Sequence, residues 1–196
     1  MNTRPYSMEG RAASAERTRE RVIDAMLGRF AAQPYDRIRL EDVAGDAGVT
    51  VQTVIRRFGG KPGLLTATVE REQARVVAAR EPATPGRPAG TIADLVAHYE
   101  RYGALILKVY AEADRVEGLP ELAAAGRRYH LDWCRRAFED DLAGPPGSPD
   151  RARRLAQVTV ACDATTWRIL RQDLGLDPEQ TRLTIAALVE PALRRG

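Results

Sequence analysis

At 196 residues, with 44% hydrophobic and 29% charged side chains, the chain can bury one or two cores and lies outside the composition of disordered proteins. No apolar run approaches the roughly 20 residues that cross a bilayer, and the start, MNTRPYSMEGRAASAERTRER, lacks the apolar core of a signal peptide; the expected location is cytoplasmic. The net charge of +3 is concentrated: residues 1–81 hold 14 Lys/Arg against 11 Asp/Glu, whereas residues 82–196 hold 16 of each. That distribution suits a small anion-binding module joined to a neutral one.

Residues 1–13 are small and polar and are expected to form a mobile N-terminal arm. From Ser14 the pattern turns helical, with Val22, Ile23, Met26, Leu27 and Phe30 at steps of three and four, and Gln33-Pro34 ends it. A short second helix is expected in LEDVAGDAG, where Leu40, Val43, Ala44 and Ala47 share a face. Gly48 supplies a residue able to take positive φ, and Thr50 can cap a third helix carrying Val51, Val54, Ile55 and Phe58. Gly59-Gly60 breaks that helix, and a longer one starts near Pro62 and connects onward to about residue 81.

EPATPGRPAG, residues 81–90, reads as a linker, because three prolines and two glycines suit neither a helix nor a strand interior. Beyond it, helical patterns cover residues 91–115, 121–143 with a break expected near Gly126, 151–174 and 178–195. Nowhere do β-branched and polar residues alternate between turn signals, so no sheet is expected. The expected fold class is all-α, with about nine helices: a three-helix N-terminal domain over residues 14–60, a connecting helix over 61–81, and a second helical domain over 82–196.

The stretch GVTVQTVIRRFGGKPGLL, residues 48–65, carries three cations and no acid. Two short helices joined through a glycine with a shared apolar face make a helix-turn-helix. Val54 and Phe58, four apart, should point inward, leaving Val51, Gln52, Ile55, Arg56 and Arg57 around the remaining surface. Arg and Gln match the paired donors and acceptors of guanine and adenine edges in the major groove. Lys61 lies at a helix start, where free amides and the helix dipole already favour a phosphate.

The run from Arg39 to Leu65, RLEDVAGDAGVTVQTVIRRFGGKPGLL, resembles the DNA-binding signature of the tetracycline-repressor (TetR) family of transcriptional regulators. It matches at Asp42, Val43, Ala44, Ala47, Gly48, Val49, Thr50, Thr53, Phe58, Lys61 and Leu64. The resemblance implies that Thr50, Val51, Gln52, Ile55, Arg56 and Arg57 face the groove, with Gln52 and Arg56 the foremost base readers, and that Arg39 and Lys61 meet phosphates of a double-stranded DNA operator. Two positions depart from the signature. Arg39 replaces a threonine that caps helix two, and Ile55 replaces a tyrosine, so a thymine methyl becomes its natural contact.

The same resemblance implies a second domain that binds a small-molecule effector, and a homodimer built from the last two helices, about 151–173 and 178–194. Aromatic and apolar residues crowd the relevant segments: Tyr99, Tyr102, Ile106 and Tyr110, then Tyr129, Trp133 and Phe138, then Trp167. They suit a pocket for an aromatic or amphipathic effector; core filling is the plainer role for any single one of them. Asp163 sits among small and apolar neighbours, where a cationic ligand or an arginine would partner it; an exposed helix-edge position is the alternative. The dimer faces expected from the pattern are Leu155, Val158, Cys162, Thr166, Ile169 and Leu170 on one helix and Leu183, Ile185, Ala186, Leu188 and Val189 on the other. Internal packing is the alternative role for these faces.

His130 and Cys134, spaced i and i+4, form either a reactive pair or a helix-packing pair, and no third ligand lies nearby. Cys134 and Cys162 are expected to be free thiols. No Gly-rich phosphate loop, HExxH, GxSxG or CxxC occurs, so no metal, no cofactor and no enzyme activity is expected. The expected function is a ligand-responsive regulator, a repressor bound to a palindromic operator and released by its effector. The alternative is a helical small-molecule sensor or enzyme without DNA binding.

Overall fold

The computed structural model describes residues 6–80 and 88–193. The chain is 83% helical, and no strand occurs among the described residues, in agreement with the all-α expectation. The elements are α1 (Tyr6–Ala32), a 3₁₀ turn at Tyr35–Arg37, α2 (Leu40–Ala47), α3 (Val51–Phe58), α4 (Lys61–Ala79), α5 (Pro88–Glu112), α6 (Leu119–Phe138), α7 (Pro149–Ala161), α8 (Ala164–Arg168) and α9 (Pro178–Val189). An isolated antiparallel bridge joins Leu142 to Leu193.

Several boundaries differ from those expected. The arm expected over residues 1–13 is helical from Tyr6, so α1 is 27 residues long; residues 1–5 lie outside the described residues. Ser14, where the helical pattern was expected to begin, therefore stands inside α1. Residues 81–87 of the expected linker also lie outside the described residues, while Pro88, Ala89 and Gly90 form the first turn of α5. Proline at a helix start loses no hydrogen bond, which is why PAG can open a helix rather than end one.

The break expected at Gly126 does not occur, and α6 runs through it. The break comes instead inside the expected 151–174 helix. Cys162 leaves helical geometry, Asp163 is extended with its carboxylate accepting from the Thr165 amide at 2.8 Å, and α8 starts anew before a π-helical turn at Ile169–Asp173. An aspartate favours such a start because its short side chain offers the free amides an acceptor that a continued helix has no use for. Pro191 stands in a closing 3₁₀ turn, Glu190–Ala192, as its missing amide requires.

The chain packs as two units: one comprising the residues up to Glu72 together with Glu112–Pro120, the other Gln73–Ala111 together with Glu121 onward. The division falls within α4, beyond the border expected near residue 60, and a segment after α5 joins the first unit. Val22, Ile23, Met26 and Phe30 of α1 are buried, as are Val43, Ala44 and Ala47 of α2, Val54 of α3, and Leu64, Leu65 and Val69 of α4. Those are the stripes that the sequence periodicity marks.

In the second unit the core gathers Ile92, Leu95, Val96 and Tyr99 from α5, Trp133, Cys134, Ala137 and Phe138 from α6, and Val158, Cys162, Trp167, Leu170, Ile185 and Val189 from the last helices. Trp167 lies directly over Gly103, where an added Cβ would stand 2.5 Å from its ring. Its indole nitrogen donates to Glu100 at 2.8 Å, and Arg171 holds that carboxylate at 2.7 and 3.0 Å. No helix among the described residues is long and apolar enough to cross a membrane.

Candidate nucleic-acid interface and effector site

The helix-turn-helix is assembled from local rules. Gly48 closes α2 in the left-handed conformation, φ 64°, ψ 42°, where a side chain would be strained. Thr50 caps α3: its Oγ1 accepts from the Thr53 amide at 3.2 Å. Arg39 occupies the capping position of α2 but makes no capping hydrogen bond, leaving its side chain 74% exposed. Arg29 of α1 clamps α2 through Asp46 at 2.6 and 3.0 Å. That hydrogen bond outweighs the opposing effect of burial and holds the Asp46 carboxyl below the usual range.

On α3, Val54 is fully buried and Phe58 half-buried, as their spacing requires. Gln52, Ile55, Arg56 and Arg57 are exposed, and Val51 is half-buried. Ile55 is 43% exposed, beside the exposed Gln52 and Arg56. The cations are not equivalent. Arg57 Nη1 donates to the Ala15 carbonyl at 2.7 Å, which ties it to α1. Lys61 is engaged internally: its ammonium donates to the carbonyls of Tyr35 and Ile38 at 3.2 and 3.0 Å and lies 4.2 Å from the centre of the Tyr35 ring.

The expected effector residues separate into two groups. Trp133 and Tyr129, together with Tyr99, surround the Arg80 guanidinium, which lies 4.0 Å from the Trp133 ring centre and 5.8 Å from each tyrosine ring. Tyr102 packs its ring 5.1 Å from that of His98. Ile106 and Tyr110 are half-buried, with Arg127 5.2 Å from the Tyr110 ring. Trp167, by contrast, is spent on Glu100, and Asp163 on capping α8. Asp163 Oδ2 approaches His130 Nε2 only to 4.0 Å.

Sequence reasoning missed Arg80 and His98. The one signal for His98 is its place on the apolar face that Leu95 and Tyr102 define. Both imidazole nitrogens of His98 are buried without a hydrogen-bond partner, as are Trp133 Nε1 and Arg80 Nε. Each such orphan costs about 1–3 kcal/mol. Burial, helped by the charge of Arg80, pushes the His98 pKa down to about 4, so the ring is neutral at pH 7.

His130 sits between Arg80 and the α7 end. Its Nε2 lies 3.1 Å from the Thr159 carbonyl and carries the proton, leaving Nδ1 to accept from Arg80 Nη2 at 3.3 Å. Cys134 and Cys162 are free and buried. A hydrogen bond from Cys162 lowers the Cys134 thiol pKa and raises that of Cys162. Cys134 Sγ is 3.6 Å from His130 Nε2. The described residues hold no group of three or more His, Cys, Asp or Glu that could bind a metal.

The dimer faces expected from periodicity are largely internal: Val158, Cys162, Leu170, Ile185 and Val189 are buried. Val160, Ile169, Leu174, Leu183 and Leu188 point outward, at 68, 41, 64, 45 and 51% exposure. Val160 and Leu174 were not expected there. The break at Cys162 and Asp163 rotates the second half of the segment, so a single helical register does not describe both halves.

A capped helix-turn-helix unit followed by a second helical unit is the arrangement in which comparison with known proteins finds likeness. The chain resembles TetR-family transcriptional regulators in fold. It aligns with a transcriptional regulator of Rhodococcus sp. Rha1 at TM-score 0.71 and 15% identity, covering 89% of this chain and 95% of that one. A TetR transcription regulator of Haloarcula marismortui gives 0.66 and 15%, covering 92% and 100%. A putative transcriptional regulator of Saccharomonospora viridis in complex with choline gives 0.67 and 16%, covering 90% and 98%. In sequence, 62 residues are 44% identical to the HTH-type transcriptional regulator SrpR of Pseudomonas putida, 32% of this chain and 29% of SrpR. The HTH-type transcriptional regulator TtgW, also of Pseudomonas putida, is 42% identical over 62 residues, 32% of this chain and 46% of TtgW. The match thus spans less than half the length of either relative. No family model matches. These relatives and structural neighbours are transcriptional regulators, not enzymes.

Proposed function

We propose that the chain is a DNA-binding transcriptional regulator that represses at a palindromic operator as a homodimer and is released by a small organic effector. The observation that carries this reading is α3 itself, whose inner residue Val54 is buried while Gln52, Ile55 and Arg56 stand exposed on a capped, glycine-positioned helix. Gln52 and Arg56 read bases, Ile55 meets a thymine methyl, and Thr50, Val51 and Arg57 line the groove edge. Arg39, exposed at the start of α2, takes a phosphate. Lys61, expected to share that task, is better explained as the strap that joins α4 to the Tyr35 turn.

The exposed apolar residues Val160, Ile169, Leu174, Leu183 and Leu188, gathered on the last helical segments, support a two-fold interface between copies. A two-fold dimer with recognition helices about 34 Å apart fits successive major grooves. The aromatic group around Arg80 supports an effector site, and the choline complex of the Saccharomonospora viridis protein supports the capacity of this fold to hold a small organic molecule. Release follows if the effector prefers a conformation in which the two recognition helices are wrongly spaced.

The test is titration of the purified chain into a labelled fragment of its adjacent promoter across a salt series. Steep loss of affinity with salt, together with a footprint of two half-sites, supports the reading. Failure to retain any promoter fragment at low salt removes it and leaves a sensor without DNA binding.

A further inference from the structure

The second unit handles two arginines in opposite ways. Arg151 is saturated: Nη1 donates to the carbonyls of Leu142 and Gly144 at 2.7 and 3.2 Å, and Nη2 donates to the Glu139 carbonyl and, at 3.1 Å, to its carboxylate. Arg80 has no such set. Its only side-chain hydrogen-bond partner among the described residues is an imidazole nitrogen, His130 Nδ1, and no described carboxylate lies within ion-pair distance of it. Its Nε is buried and unpaired.

The groups around Arg80 share that deficit. Trp133, 5% exposed, presents an indole N–H, a donor only, with no acceptor. His98, 6% exposed, leaves both nitrogens unpaired, and its neutral ring offers one more N–H. The hydroxyl of Tyr99 is already donated to the Cys162 carbonyl at 2.9 Å. Among the described residues the cluster therefore has more donors than acceptors and a cation without a counter-ion; Arg80 lies against the rings of Tyr99, Tyr129 and Trp133, and Tyr102 packs on His98. The carboxylate that a cationic ligand would need, Asp163, is on the other ring nitrogen of His130 and is spent on the α8 cap.

We infer that the effector of this unit is a flat organic anion, an arenecarboxylate in class, whose carboxylate is held by Arg80 and the Trp133 N–H, with His98 as a third donor and the aromatic side chains around its ring. The inference rests on the reading of this unit as the effector domain. It goes beyond that reading in setting the sign of the ligand's charge and naming the side chains that recognise it. The binding is favourable because the ligand supplies acceptors to donors that have no protein partner, and because Arg80 gains a counter-ion in surroundings of low polarity.

The experiment is calorimetric titration of the full chain with three probes of one shape: 2-naphthoate, 2-naphthamide and a 2-naphthyl trimethylammonium. The acid is expected to bind at least about tenfold more tightly than the amide, with the ammonium weakest. Arg80→Met should erase the preference for the acid while leaving amide affinity unchanged, and Arg80→Lys should restore part of it. Trp133→Phe should weaken the acid several-fold, and melting curves for each variant show that it is folded. Tighter binding of the ammonium, equal binding of acid and amide, no binding of any probe, or an Arg80→Met protein that keeps the acid preference would each overturn the inference. DNA retention is measured separately. A chain that binds its promoter but prefers the ammonium loses only this inference, and a chain that binds the acid through Arg80 but no DNA loses only the regulator reading.

Discussion

Lys61 holds the turn at Tyr35 in place: its ammonium lies 4.2 Å from the Tyr35 ring centre and donates to the Tyr35 and Ile38 carbonyls. A cation on an aromatic face with two carbonyl acceptors is a structural tie, worth about 1–2 kcal/mol when partly desolvated. Lys61→Met should therefore lower the melting temperature and weaken DNA binding without changing its salt slope. Arg39→Ala should do the reverse, reducing the slope by about one for each protomer's lost phosphate contact while leaving the melting temperature unchanged. A reduced salt slope in Lys61→Met would return the lysine to the phosphate.

Arg56 has no hydrogen bond or ion pair among the described residues, whereas Arg57 donates to Ala15 at 2.7 Å. Arg56→Ala is expected to cost about 1–3 kcal/mol on the cognate operator and almost nothing on random DNA, so that specificity collapses. Arg57→Ala should shift stability as well, because it frees an α1 carbonyl. Binding curves on cognate and scrambled duplexes separate the two.

His98 contributes one pH dependence to stability. Its folded pKa of about 4 lies below the ordinary 6.5, so the unfolded chain binds the proton first as pH falls. Stability should then drop between pH 6.5 and about 4, at most by about 1.4 kcal/mol per pH unit from this group, and change no further from it below pH 4. His98→Gln should flatten that part of the profile in urea titrations at pH 7, 6 and 5. An unchanged slope in the variant would mean that another group carries the proton uptake.

Gly103 is a site of close approach. A methyl group there meets the Trp167 ring at 2.5 Å, and the ring cannot move freely because Glu100 holds its nitrogen. Gly103→Ala is expected to destabilise the chain by about 1–3 kcal/mol. Combining it with Trp167→Phe should recover part of that loss, and a double-mutant cycle measures the coupling.

Val160 and Leu174 are the most exposed of the outward apolar residues, at 68 and 64%, and have the least internal packing to lose. Glutamate at both should convert a dimer to a monomer in light scattering while leaving the helical circular dichroism intact. DNA affinity should then fall steeply, because each half-site is bound alone. A double variant that stays dimeric would move the interface elsewhere.

Local sequence was enough for the helices that bury one stripe, the turn at Gly48, the cap at Thr50 and the exposed Gln52, Ile55 and Arg56. Each depends on residues within a few positions of one another, and propensity with 3.6-residue periodicity decides them. The resemblance carried by residues 39–65 named the fold for the same reason: a helix-turn-helix is specified over a short span. Other features emerge only from the packed chain. Lys61 has the composition of a phosphate anchor until the Tyr35 turn, 26 residues away, supplies its acceptors. The break at Asp163 and the outward turn of Val160 and Leu174 depend on which helix start wins a capping bond. Arg80 and His98, neighbours of Trp133 and Tyr102 through the packing of the second unit, carry almost no local signal. Burial without a partner is a property of the assembled core, and no window of sequence contains it.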